Sequence, residues 1–177
     1  MNTIEELKKY DLHCHLDGSL SEAVIRKLAA GAGVEIPAGE KLMDLLQVQP
    51  DCKSLKEYLE KFDLPLSCLA DRDSFRIAVS ELLGDGAKEN VVYMEIRFAP
   101  LLSVREGLTC RQIIEGALDG LQEGKEKYGV EGNLILCGMR HMPVEQNVEL
   151  AKTAREYLGQ GVAALDLAGD EAAFPVK

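Results

Sequence analysis

Four short strand-like runs, set among helical patterns, constrain this chain more than any other feature of it. They are residues 9 to 16, 91 to 98, 133 to 140 and 162 to 168. Between them, residues 71 to 89 and 143 to 159 repeat apolar side chains at helical spacing, and Ser19 with Glu22, Ser54 with Glu57 and Thr109 with Gln112 fit capping boxes. Strand alternating with helix at this spacing predicts βα units and a parallel sheet, hence an α/β fold. The first two strands are over seventy residues apart, too far for one crossover helix. Residues 20 to 90 are therefore expected to form a helical insert. No linker or low-complexity stretch interrupts the chain, and 177 residues suffice for one domain, residues 1–177, with a real core.

Side-chain parity separates a barrel from an open sheet. In the second strand Val92, Met94, Ile96 and Phe98 share one face and Glu95 and Arg97 the other. In the third, Ile135, Cys137 and Met139 oppose Leu136, Gly138 and Arg140; in the fourth, Leu165 and Leu167 oppose Ala164, Asp166 and Ala168. If each wholly apolar face meets helices, Glu95, Arg97, Arg140 and Asp166 converge with His13 and His15 on the other side. An open doubly wound sheet would be apolar on both faces. A charge-balanced interior suits a (β/α) barrel with a site at the carboxyl ends of its strands. The four charged residues read as a buried network that shapes such a site, or as part of the site itself.

The first strand carries the chemistry. In Asp11-Leu-His-Cys-His-Leu-Asp-Gly-Ser-Leu20, His13, His15 and Asp17 are two residues apart, which on a strand directs all three to one face. Leu12, Cys14 and Leu16 take the opposite face, and Gly18-Ser19 turns the chain into a helix. Two imidazoles at adjacent same-face positions can share one tetrahedral zinc ion. Strand histidines hydrogen-bonded to their neighbours give the same spacing, and two ligands alone do not make a site.

Composition narrows the partners. Hydrophobic residues make up 46% of the chain and mean hydropathy is −0.08, values of a soluble globular protein. No apolar run is long enough for a bilayer span, and the amino terminus lacks a signal pattern, so a cytoplasmic location is expected and no membrane partner. A formal charge of −10 would repel phosphate backbones, arguing against nucleic acid polymers. The five cysteines, widely spaced and without C-x-x-C, read as reduced packing residues. H-x-E, P-C-x-x-C and Walker patterns are absent, and Gly31-Ala-Gly33 reads as a helix end.

Three segments in order, Asp11 to Leu20, Met139-Arg-His141 and Asp166-Leu-Ala-Gly-Asp-Glu171, resemble the adenosine deaminase family of the amidohydrolase superfamily. The resemblance implies a TIM barrel and zinc-dependent hydrolysis of adenosine to inosine and ammonia. By that match His13 and His15 are zinc ligands, His15 and Asp17 contact substrate, with Asp17 accepting from the ribose, and Gly169 turns its backbone N–H to the purine. Tyr58 and Phe62 fall where the family has an apolar lid; with Leu55, Leu59 and Leu66 they also fit an ordinary helix stripe. His141 matches a non-ligand position. The family's third histidine ligand, its ring-protonating glutamate, its water-assisting histidine and its last zinc aspartate lie downstream of the matched segments. The chain is thus expected to be the amino-terminal half of a TIM barrel, four of eight strands, with no catalytic residue of its own and negligible activity alone. Deamination of adenine or another purine, or a non-catalytic half-barrel binding a partner or nucleoside, are the alternatives. Four parallel strands cannot close, so self-association or pairing with a complementary half is expected.

Overall fold

The computed structural model describes residues 3–37 and 41–175. Four strands, β1 (Lys9–His15), β2 (Val91–Phe98), β3 (Glu131–Met139) and β4 (Val162–Ala168), form one parallel sheet in the order β1-β2-β3-β4. The expected insert between β1 and β2 comprises α1 (Glu22–Ala32), α2 (Lys41–Leu46), α3 (Leu55–Leu59), α4 (Asp63–Cys68) and α5 (Arg72–Lys88), with a single 3₁₀ turn, Glu60–Phe62, joining α3 to α4. Helices α6 (Cys110–Tyr128) and α7 (Val144–Glu156) make the next two crossovers. Sequential order with parallel pairing is the arrangement of consecutive βα units in a (β/α) barrel. Here β1 and β4 are the two edges of the sheet.

Local signals place most helix ends. Thr109 and Gln112 form a reciprocal capping box at the start of α6, and Asp71 with Ser74 does the same for α5. Ser54 Oγ accepts from the Glu57 N–H, but Glu57 reaches back to the Lys53 N–H rather than to the cap itself. Ser19 is not a cap: α1 begins two residues later than that box implies, with Ser21 at its N-cap and no side-chain hydrogen bond there. The tight turn that buries Leu16, Asp17 and Leu20 consumes Ser19. Gly33 ends α1 with φ +68°, a left-handed conformation that favours glycine.

The helix-facing side of the sheet is apolar. Met94, Ile96, Leu134 and Leu136 are buried in one core with Val79 and Leu83 of α5 and Ile113, Ala117 and Leu121 of α6. α5 and α6 approach closely because Gly116, Gly120 and Gly124 recur every turn along α6; a Cβ on Gly120 would stand 2.5 Å from the Arg76 carbonyl oxygen. The parity expected for β3 is inverted. Ile135 is register partner of Arg97 and Cys137 of Asp166, so Ile135, Cys137 and Met139 face the interior, while Leu134 and Leu136 meet the helices. Both faces of β3 are apolar, so alternation alone did not distinguish them; Gly138 decides, since only a residue without Cβ lets Asn147 of α7 bond both the N–H and C=O of Met139 at 3.0 Å. On the edge strand β4 the helix-facing Leu165 and Leu167 lack cover and are nearly half exposed. Leu12, 58% exposed, departs from the buried face expected for it: the irregularity in β1 sets Asp11 and Cys14, not Leu12, in register with the helix-side Met94 and Ile96.

Candidate active site

The polar residues gather at the carboxyl ends of the strands. β1 carries an irregularity between Asp11 and Cys14, after which Cys14 pairs with Ile96 on the helix side and His15 with Arg97 on the interior. His13 and His15 both turn inward, their ring centroids 5.4 Å apart. Arg97, 7% exposed, lies between them and β4. Its Nη1 is 2.9 Å from His13 Nε2 and 2.8 Å from His15 Nε2; its Nη2 donates to Cys137 Sγ at 3.3 Å and to the carboxylate of Asp166. Burial together with the neighbouring Arg97 charge holds the His15 imidazole below its ordinary range.

β1 ends at His15, so Asp17 lies in the following turn rather than on the strand. It is nevertheless buried on the same side and lines the same cavity as His15. Burial pushes its carboxyl up to about 6 against the pull of backbone N–H groups and the Arg97 charge. The cavity encloses about 600 Å³, a volume suited to a small-molecule ligand. Its floor is His15, Asp17, Arg97, Cys137 and Asp166; its apolar wall is Leu55, Tyr58, Leu59, Phe62 and Leu66. Tyr58 and Phe62 meet edge to face at 5.3 Å, and Phe62 lies 6.2 Å from the His15 ring and against Gly18. The apolar stripe of residues 55–66 and the roof of the cavity are therefore the same surface. Gly169, with φ +111°, follows β4 on the opposite rim beside His141 and Phe174.

The network expected from Glu95, Arg97, Arg140 and Asp166 divides into three. Arg97 and Asp166 pair in the site; Arg140 lies past the end of β3 and pairs with exposed Glu171 at 3.0 Å; Glu95 accepts from Tyr93 Oη, which in turn accepts from Asn133, deeper in the interior. Cys137, Met139 and Phe98 also line the cavity, although the sequence does not single them out for it. No signal in their spacing marks them, because each is an apolar residue in an apolar run.

The segment from residue 8 to 177 matches the family model described as adenosine deaminase. The chain belongs to the adenosine deaminase family. It is 42% identical over 171 residues to the adenosine deaminase of Clostridium kluyveri, covering 96% of this chain and 49% of that protein. Among solved structures, the Arabidopsis N6-mAMP deaminase superposes with a TM-score of 0.76 at 30% identity, over 96% of this chain and 52% of that one. A zinc-bound amidohydrolase from Burkholderia ambifaria shares the fold, with a TM-score of 0.81 at 20% identity, over 97% and 47% of the two chains. The chain spans about half the length of the relatives it matches. It is a deaminase-family α/β sheet corresponding to the first four strands of a TIM barrel.

The donor set fits part of a metal shell. Two imidazole Nε2 atoms converge on a single point, which a cationic nitrogen occupies. Among the described residues no cluster of three or more His, Cys, Asp or Glu side chains could hold an ion by itself. His13 and His15 thus fit two positions of a tetrahedral zinc site and leave the others to groups outside this arrangement. Also among the described residues, no helix is long and apolar enough to cross a membrane.

Proposed function

We propose that this chain provides the first half of a zinc-dependent adenosine deaminase and that, alone, it binds zinc weakly and turns over no adenosine. The observation that carries the reading is the convergence of His13 Nε2 and His15 Nε2 beside Asp17, in a cavity at the carboxyl ends of the strands. When bound by His13 and His15, zinc would supply a water acidic enough to yield hydroxide near neutral pH. Asp17 would accept a hydrogen bond from the ribose, an interaction that selects a nucleoside over a free base. Gly169 would offer its backbone N–H to the purine, where the absence of a side chain lets a planar ring approach. Tyr58 and Phe62 would cover the sugar and exclude bulk water, strengthening the polar contacts beneath them. The adenosine deaminase of Clostridium kluyveri supports adenosine as substrate.

None of the placed residues protonates the purine ring, and two protein ligands leave a bound hydroxide poorly held. The test is loss of adenosine absorbance with the 177-residue chain alone and with the carboxyl-terminal half of a clostridial relative added in trans. No turnover alone, and turnover restored on mixing, is the expected outcome. Turnover by the chain alone at the rate of a full-length relative would overturn the reading.

A further inference from the structure

Arg97 makes an unusual set of contacts for a buried arginine. A guanidinium has five N–H donors, no acceptor, and does not lose its proton in proteins. Nη1 therefore gives one hydrogen to His13 Nε2 and the other to His15 Nε2, at 2.9 and 2.8 Å. Both Nε2 atoms must be acceptors. That requires both rings to be neutral with the proton on Nδ1, the form whose free Nε2 lone pair can ligate a metal. Nη2 is held on its other side by Cys137 Sγ and the Asp166 carboxylate. Nε, by contrast, is buried without any partner. The guanidinium is thus seated by its Nη atoms at the expense of Nε, so the two imidazoles and Asp166 decide its position.

We propose that Arg97 is a positioning residue that competes with the metal for its ligands: its Nη1 occupies the point on which His13 and His15 converge, and it must leave that point for an ion to bind. The inference rests on the reading of His13 and His15 as zinc ligands. Two consequences follow from the contacts. The guanidinium keeps both rings in the ligand-ready tautomer and orientation before any metal arrives. It also competes with the metal, since one lone pair cannot serve an N–H and an ion together, and a cation 2.8 Å from Nε2 repels a second one placed there. The Asp166 carboxylate tethers the guanidinium from the β4 side, which ties the fourth strand to the ligands on the first.

The wild-type chain itself provides the first test. With ¹⁵N-labelled histidine and metal removed by chelation, long-range ¹⁵N–¹H correlation spectra should show His13 and His15 as the Nδ1–H tautomer; a predominant Nε2–H form at either ring would overturn the proposal. In Arg97→Met the two rings should move toward the Nε2–H tautomer, which free histidine favours, while the backbone amide spectrum of the rest of the chain stays as in wild type; that retention separates loss of the guanidinium from loss of the fold. Zinc binding, followed by competition with a chromophoric indicator, should be at least tenfold tighter in Arg97→Met/Asp166→Asn than in wild type. The second substitution removes the freed carboxylate as an alternative ligand. Zinc binding of equal or lower affinity in the double variant overturns the role of Arg97 while leaving the zinc reading in place. Absence of zinc binding from all three chains, with the tautomers as expected, overturns the zinc reading and with it the competing role.

Discussion

Single residues show how strongly position governs chemistry in this chain. Its five cysteines are all unpaired, and only Cys52 is exposed. Burial raises the thiols of Cys14, Cys68 and Cys137 and pushes Cys110 up to about 11, leaving little thiolate at pH 8. Brief treatment of the folded chain with iodoacetamide at that pH should therefore label Cys52 first. Peptide mass mapping checks it; equal labelling of Cys52 and Cys110 would contradict the burial seen here. Cys137 was legible only as a packing residue, since nothing in Leu-Ile-Leu-Cys-Gly indicates that its sulfur accepts from Arg97. The inward placement of His13 and His15 was legible because residues two apart on a strand share a face, whereas Asp17 lies in the turn after β1, where that rule no longer applies.

At the scale of elements, the α5–α6 contact is set by backbone approach rather than by large side chains. Gly120→Ala places a methyl 2.5 Å from the Arg76 carbonyl and 2.8 Å from Val79 Cβ. Neither neighbour is the free end of a flexible chain, so the helices must separate. Overpacking of this kind costs about 1–3 kcal/mol, which exceeds the helix propensity gain of about 1 kcal/mol from glycine to alanine. A lower urea midpoint at an unchanged slope is the expected outcome; a stabilised variant would show that the helices separate freely. Strand positions and most helices were readable from periodicity. The side assigned to β3 was not, because Ile135, Cys137 and Met139 are as apolar as Leu134 and Leu136, and only contact with α7 and the Arg97–Asp166 pair distinguishes the faces.

For the whole molecule, the decisive property is an open parallel sheet. β1 and β4 each have one unpaired edge, and Leu12, Leu165 and Leu167 expose apolar surface beside those edges. Exposed edges with apolar flanks favour pairing with another chain. The net charge of −10 opposes this at long range but leaves the backbone groups unpaired. We expect the isolated chain to associate, and to do so more strongly as salt screens its charge. Sedimentation velocity over a concentration series should show the association; a compact monomer throughout would mean that the edges are protected.

The sequence by itself determined the strands, the helical insert, the inward histidines and the family, because periodicity, capping and short-range spacing are local properties that neighbouring residues impose. Tertiary structure alone decided which face of β3 lines the cavity, that the residues 55–66 stripe is its roof, and that Arg97 is seated between two imidazoles and a carboxylate from the opposite edge strand. The last of these joins residues 69 to 84 positions apart. No local pattern encodes such pairings, since they arise from the register of parallel strands brought together by intervening helices.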